Sequence, residues 1–442
     1  MVMDRQINTL QRVSETRAKL IDAARDILRR NDRGGYTVPT DALYPFQWNW
    51  DSAFCAMGFA TFDIDRALTE LEFLYSGQWA SGLVPHIIFH RDADTYFPGP
   101  QVWGTHQTPP TSGISQPPVT ASALAYILDM ASTGPASLDP ESDVMRRARA
   151  LYEKILAYHH WWARERDPDG TGIVAILHPW ESGSDNSPVW DEALGQVPAT
   201  QTPFQRRDVT LVDSDMRPRQ WEYDRYIYLV ELYRALGWQG DRMWSETPFK
   251  VADVGLNAIL MRDELDLIAL ADRFDDPANA QVLRARAARR RQGFDKLWSL
   301  ERGLYLSRDL LRDRLVDVPS HASFLPLWAG TEPFDRAAAL ASELARWINL
   351  SRFGVPTIAP DTAEFDQRRY WRGPVWGIIN WMISEGLRRH GFIKLADEIK
   401  GHTAALIQDS GFSEYFDPIT GEGLGGGDFS WTAAVGLAWA LD

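Results

Sequence analysis

The chain has 442 residues, 45% of them apolar, and a formal charge of −14. Apolar residues run through its whole length, so it can bury a large core, and a disordered chain is excluded. The negative balance argues against a non-specific nucleic-acid partner, which needs a basic face, and the single cysteine, Cys55, excludes intramolecular disulfides and thiolate metal clusters.

Periodicity predicts helices almost throughout. Ile7 to Leu28 carries apolar residues at Leu10, Val13, Ala18, Ile21, Ala24 and Leu28, and has no signal-peptide core. A loop follows, then Phe46-Gln-Trp-Asn-Trp-Asp51-Ser52, where Asp51 or Ser52 can cap a helix running to about Thr61. The next helix is expected from Asp65 to Gln78, capped by Asp63 or Asp65. Residues 81–118 hold seven prolines and little periodicity, which reads as a long loop ordered by its aromatics. Further helices are expected at about 118–132, 141–165, 220–237, 248–272, 276–298, 333–349, 371–390, 393–408 and 429–441, with a short one near 320–329. Strand-like alternation is scarce and is best at Gly172 to Leu177 and Gly303 to Ser307.

About a dozen helices joined by alternately short and long loops fit helical hairpins closed into a ring. Such a ring places every second connection on one rim. The expected fold is all-α: a single-domain (α/α)6 barrel over residues 1–442, with long loop insertions on one rim at about 81–118 and 166–219. No fixed-period repeat supports a solenoid. No run approaches 18 apolar residues, so no membrane span is expected and a cytoplasmic protein is the default. Self-association into a homo-oligomer is left open.

The 19 tryptophans often stand beside Gly, Pro, Asp or Glu in the long loops, which favours a small sugar or another ring-stacking ligand. The first such cluster is His178-Pro-Trp-Glu-Ser-Gly-Ser-Asp-Asn-Ser-Pro-Val-Trp190, too rich in Gly, Ser, Asn and Pro for a regular element. Glu181 and Asp185 stand there between Trp180 and Trp190. Indoles stack on the apolar faces of a pyranose while carboxylates hold hydroxyls or move protons. The plain alternative is a surface turn with chance tryptophans.

The second cluster, Gly411 to Trp431, holds Glu414, Asp417, Glu422 and Asp428. Gly421, Gly423 and Gly426 match GxGxxG, but no strand precedes them and the acids would repel phosphate. Glu414 is the acid most enclosed by aromatics, whereas Asp417 reads as turn chemistry and Glu422 as solvated. A third cluster, Arg369-Tyr370-Trp371-Arg372-Gly373-Pro374-Val375-Trp376, is expected to open a helix with Pro374 in its first turn. Its rings can build an aromatic wall, and Arg372 could meet a carboxylate; Trp376 reads equally well as core. Trp48-Asn-Trp50-Asp51 sets an acid among indoles. Arg217, in a loop, could bind an anion or pair with Asp213 or Asp215. The nine histidines show no ligand spacing and HExxH is absent, so neither metal nor cofactor is expected. Two carboxylates from separate loops on one rim fit a glycosidase, one held protonated by apolar surroundings and one ionised.

Four segments then carry a family resemblance. Trp50-Asp51-Ser52, Glu181-Ser-Gly-Ser-Asp185, Tyr370-Trp-Arg-Gly-Pro-Val-Trp376 and Glu414-Tyr, with the following glycines and Phe429-Ser-Trp-Thr432, resemble the signatures of inverting α-glycosidases. These are the (α/α)6-barrel trehalases and family 63 of the glycoside hydrolases, and the likeness spans residues 50 to 432. The compact length is similar to the bacterial members acting on mannosylglycerate and glucosylglycerate. The resemblance implies Asp185 as general acid and Glu414 as general base. It implies that Asp51 grips sugar hydroxyls and that Tyr370, Trp371, Gly373 and Trp376 line the sugar pocket. Trp50, Gln116 and Trp180 join this substrate-binding set, with Glu181 in support. Trehalases carry Trp before the acid and Lys after the base; Ser184 and Tyr415 stand here, which suits the smaller-aglycone branch.

The implied reaction is hydrolysis of α-glucosylglycerate or α-mannosylglycerate to free hexose and glycerate, with inversion. That mechanism sets the two carboxyls about 6.5–9.5 Å apart. Arg217 is then the candidate partner of the glycerate carboxylate. The competing readings are an oligosaccharide α-glucosidase or trehalase-like enzyme with a neutral aglycone, and a non-catalytic sugar-binding barrel.

Overall fold

A computed structural model describes residues 2–41, 43–133 and 139–442, the first 13 of these by backbone only. Among the described residues, six inner helices pack each against the next and the last against the first, closing a ring. They are Asn49–Ala60, Thr120–Ser132, Val254–Arg273, Pro326–Ala329, Gly377–Arg389 and Ser430–Val435. Outside them lie Val2–Asn31, Ile64–Ser76, Asp143–Arg166, Pro277–Phe294, Phe334–Leu350 and Ile393–Ser410. This is an α/α barrel.

Sequence pattern separates the two layers. Every residue of Asn49–Ala60 is buried, as an inner helix surrounded by protein requires. Phe334–Leu350 buries only the stripe Ala337, Leu340, Ala341, Leu344, Trp347 and Ile348. Caps fix several starts: the side chains of Asp63, Ser142 and Asp253 accept from backbone N–H groups two or three residues on. The Asn49–Ala60 helix begins earlier than expected, which leaves Asp51 in its first turn and not at its cap.

Connections from inner to outer helices are short, as at 61–63, 274–276, 330–333 and 390–392. Those returning to the inner ring are long: 32–48, 77–119, 167–253, 295–325, 351–376 and 411–429. All six lead to the N-terminal ends of inner helices, on one rim. The Gln220–Ala235 helix belongs to one of these connections. It packs against the short Pro100–Trp103 helix of another instead of joining the ring.

The helix expected from residue 371 starts at Gly377. Asp366 N–H is tied to Arg372 O at 2.8 Å, and Val375 pairs in extended form with Phe416, so 370–376 cannot wind up. The strands among the described residues are two residues long, in antiparallel pairs such as Leu304–Tyr305 with Trp298–Ser299 and in one three-stranded sheet; in 172–177 only Ile176 forms a bridge, to Val251. Among the described residues no helix is long and apolar enough to cross a membrane.

Candidate active site

The long connections close around one cavity at the N-terminal rim. Its walls carry Tyr44, Trp48, Trp50, Asp51, His86, Tyr96, Gln116, Trp180, Asp185, Asp208, Arg217, Tyr223, Tyr370, Glu414 and Trp431. Of the expected site residues, it therefore unites Trp50, Asp51, Gln116, Trp180, Asp185, Arg217, Tyr370 and Glu414, which lie up to several hundred residues apart in sequence.

Asp185 reaches the cavity from an irregular loop held by its backbone. A short 3-10 turn, Pro179–Ser182, ends at Gly183, whose φ of 72° and close approach to Trp50 only glycine allows: a Cβ there would lie 2.6 Å from the indole. Tyr226 OH donates to Asp185 O at 2.7 Å, and Trp190 Nε1 donates to Ser184 O at 2.8 Å. Among the described residues no other residue donates to the Asp185 carboxyl. Burial, reinforced by the Glu414 charge and opposed by Arg217, pushes its pKa up to about 8.

Glu414 faces a different environment. Tyr44 OH donates to Oε1 at 2.9 Å, and Gly426 N–H donates to Oε2 at 3.0 Å. Arg217 Nη1 lies 3.9 Å from Oε1 and donates to Tyr44 OH at 2.7 Å. Burial raises the Glu414 pKa, but the Arg217 charge and these donors pull against it. Tyr370 OH stands 3.0 Å from Tyr44 OH, extending the network. Tyr370 itself has φ 47°, a backbone state that costs a non-glycine residue about 1–3 kcal/mol and clusters at functional sites.

Asp51 is buried near both acids; burial and then the charges of Glu414 and Asp185 raise its pKa well above the ordinary carboxylate range. Gln116 Oε1 is buried with no hydrogen-bond donor among the described residues. Both are free to meet hydroxyls.

Four expected pocket residues lie behind the walls instead. Glu181 is fully buried away from the cavity: Arg166 Nη2 donates to it at 2.7 Å and Leu177 N–H at 2.8 Å, so its carboxylate is consumed in holding the loop. Trp371 and Trp376 stack face to face at 3.8 Å, forming a second layer beneath Trp50 and Tyr370. Gly373 presses on the 366–367 backbone, where a Cβ would come within 2.3 Å of Asp366 O. Arg217 pairs with Asp208, at 3.2 Å, and with neither Asp213 nor Asp215; it also lies over the Tyr370 ring at 4.3 Å.

Residues 44–432 match the mannosylglycerate hydrolase MGH1-like glycoside hydrolase domain. The chain belongs to this family. A mannosylglycerate hydrolase of Thermus thermophilus is 46% identical over 420 residues, covering 94% of this chain and 99% of the relative. A glucosylglycerate hydrolase of Mycolicibacterium hassiacum is 36% identical over 441 residues, covering 96% and 98%. A crystal structure of a family 63 mannosylglycerate hydrolase from Thermus thermophilus, in complex with Tris and D-glycerate, matches with a TM-score of 0.90 at 45% identity. That match covers 95% of this chain and 99% of the other.

In this glycoside hydrolase several cavity residues escaped the sequence reading. Tyr44, in Leu-Tyr-Pro-Phe, has no motif around it, and His86 sits in a proline-rich loop. His86 Nδ1 is 2.7 Å from Ser112 Oγ, its ring stacks on Trp180, and burial lowers its pKa well below the usual imidazole value, so it is neutral. Asp208 is gripped by Arg206, at 2.7 Å, as well as by Arg217. The adjacent arginine in Arg206-Arg207-Asp208 was its one local signal.

Proposed function

We propose that the protein is an inverting α-glycosidase that hydrolyses an α-hexosylglycerate, mannosylglycerate before glucosylglycerate, to free hexose and glycerate. The observation that carries this reading is the pairing of two carboxyls on one cavity, Asp185 with no donor from another described residue and Glu414 buried with donors and a cation beside it. Asp185, protonated, donates to the glycosidic oxygen as that bond breaks. Glu414, ionised, takes a proton from the water that attacks the opposite face of the anomeric carbon. Trp50 and Trp180 offer stacking faces to the sugar rings, and Asp51 and Gln116 accept hydroxyls.

Arg217 is the one Lys or Arg on the cavity wall among the described residues. A glycerate carboxylate needs such a cation, and Asp208 offsets part of its charge while fixing its orientation. The names and ligands of the family relatives support the same aglycone, and the greater identity to the mannosylglycerate enzyme sets the order of the hexoses. The test is a product assay over mannosylglycerate, glucosylglycerate, trehalose and kojibiose, with the anomer released followed by NMR. The expected result is hydrolysis of a glycerate conjugate with β-hexose as first product. Preference for trehalose or kojibiose, or release of the α-anomer, would overturn it.

A further inference from the structure

The loop of the acid and the loop of the base do not meet directly in any hydrogen bond among the described residues. The segment between them in space is Tyr370-Trp371-Arg372. At one end, Tyr370 OH joins the Tyr44–Glu414 network at 3.0 Å. At the other, Trp371 N–H donates to Asn186 Oδ1 at 2.9 Å, and Arg372 Nη1 donates to Asn186 O at 3.2 Å. Asn186 is the residue after Asp185. The same guanidinium forks onto Asp191, at 2.9 and 2.6 Å, on the far side of the acid loop. Its Nη1 is also 3.5 Å from Glu222 Oε1, at the start of the helix whose Tyr226 holds Asp185 O.

The segment is stiff. Tyr370 is locked at positive φ, Trp371 is stacked on Trp376, and Arg372 is hydrogen-bonded through its N–H to Arg369 O and through its O to Asp366 N–H, both at 2.8 Å. We infer that Tyr370-Trp371-Arg372 is the strut that sets the separation of Asp185 from Glu414, with Arg372 as a positioning residue for the acid. This rests on the proposed roles of those two carboxyls. The bidentate fork on Asp191 together with a carbonyl contact is geometry that guanidinium supplies and an ammonium cannot.

The experiment is Arg372→Lys, assayed on the preferred hexosylglycerate and on the matching α-glycosyl fluoride, whose leaving group departs without a proton. Displacing the acid by a fraction of an ångström should lower kcat on the glycoside about 100-fold with KM within about two-fold, while fluoride hydrolysis moves less than about three-fold. Asn186→Ala, which frees Trp371 N–H but keeps the fork, should show the same split at about 10-fold. Equal losses on glycoside and fluoride, or a KM that rises as kcat falls, would overturn the strut and leave Arg372 a general packing residue. Asp185→Ala serves as the control. If it loses both substrates equally, the acid assignment fails, and that outcome is separate from the failure of the strut.

Discussion

The acid loop at 178–190 and the base loop at 411–429 both deliver a carboxyl to one cavity, yet they treat it in opposite ways. The acid loop directs its hydrogen bonds to backbone: Tyr226, Trp190 and Asn186 hold carbonyls and amides around Asp185, and its side chain is left to burial. At the base loop the carboxylate itself receives them, from Tyr44 OH and Gly426 N–H, with the Arg217 charge 3.9 Å from Glu414 Oε1. Even the glycine beside it is needed, since a Cβ at Gly425, where φ is 71°, would sit 2.4 Å from Glu414 Oε2. Unsupported burial favours the neutral form and directed donors favour the charged one. The contrast supports the proposed roles of acid and base without reference to order in the chain.

The largest effect should come from deleting either side. Asp185→Ala and Glu414→Ala should each lower kcat by about 10³-fold or more while substrate binding, followed calorimetrically, stays nearly unchanged. Substantial residual turnover in either variant would break the comparison at its root. The wild-type pH profile should be a bell. Its alkaline limb falls near pH 8, as Asp185 loses its proton, and its acid limb lies above the ordinary glutamate range, as Glu414 gains one.

Much of this was legible in the sequence, for definite reasons. Alternating short and long connections are a property of order along the chain, so the ring of hairpins could be read, as could the rim that carries the site. Asp185 and Glu414 stand in irregular segments rich in aromatics, which local pattern also reveals. What could not be read is which face of a motif looks inward. Glu181 and Asp185 are four residues apart, and only the reversal at Gly183 turns one toward Arg166 and the other toward the cavity. Likewise Tyr370 enters the wall while Trp371 and Trp376 lie behind it, a sorting made by the positive φ of Tyr370 and the Asp366–Arg372 hydrogen bond. Tyr44 and Asp208 matter through partners more than a hundred residues away or through a paired arginine, and no local pattern marks either.

Arg217 sharpens the comparison from the base side. It pulls the Glu414 pKa down, so Arg217→Ala should move the acid limb of kcat/KM to higher pH, and turnover of the hexosylglycerate should fall on the order of 100-fold. Because the residue also lies beside the base, a neutral glucoside should lose activity too, but less; equal losses would remove Arg217 from the aglycone site. Tyr44→Phe deletes a single donor to Glu414 and should cost about tenfold, with a smaller shift of the same limb in the same direction. A shift of the limb to lower pH in either variant would reverse the reading of what these groups do to the base.

The smallest effect is on stability, and it isolates the acid. A carboxyl whose folded-state pKa is about 8, against an ordinary value of 3.8, takes up its proton more readily in the folded chain. Its favourable contribution is complete below the unfolded value and is lost as pH rises through about 8. Asp185→Asn keeps the shape but does not titrate. The Tm of the variant should therefore match the wild type near pH 4, exceed it increasingly up to pH 8, and hold a constant gain beyond, on the order of one to a few degrees. Glu414→Gln should gain less at high pH, because it forfeits the attraction of Arg217 and the donation from Tyr44, both of which favour the charged form. A larger gain for Glu414→Gln than for Asp185→Asn would mean that burial weighs more heavily on the base, and the two loops would have to exchange roles.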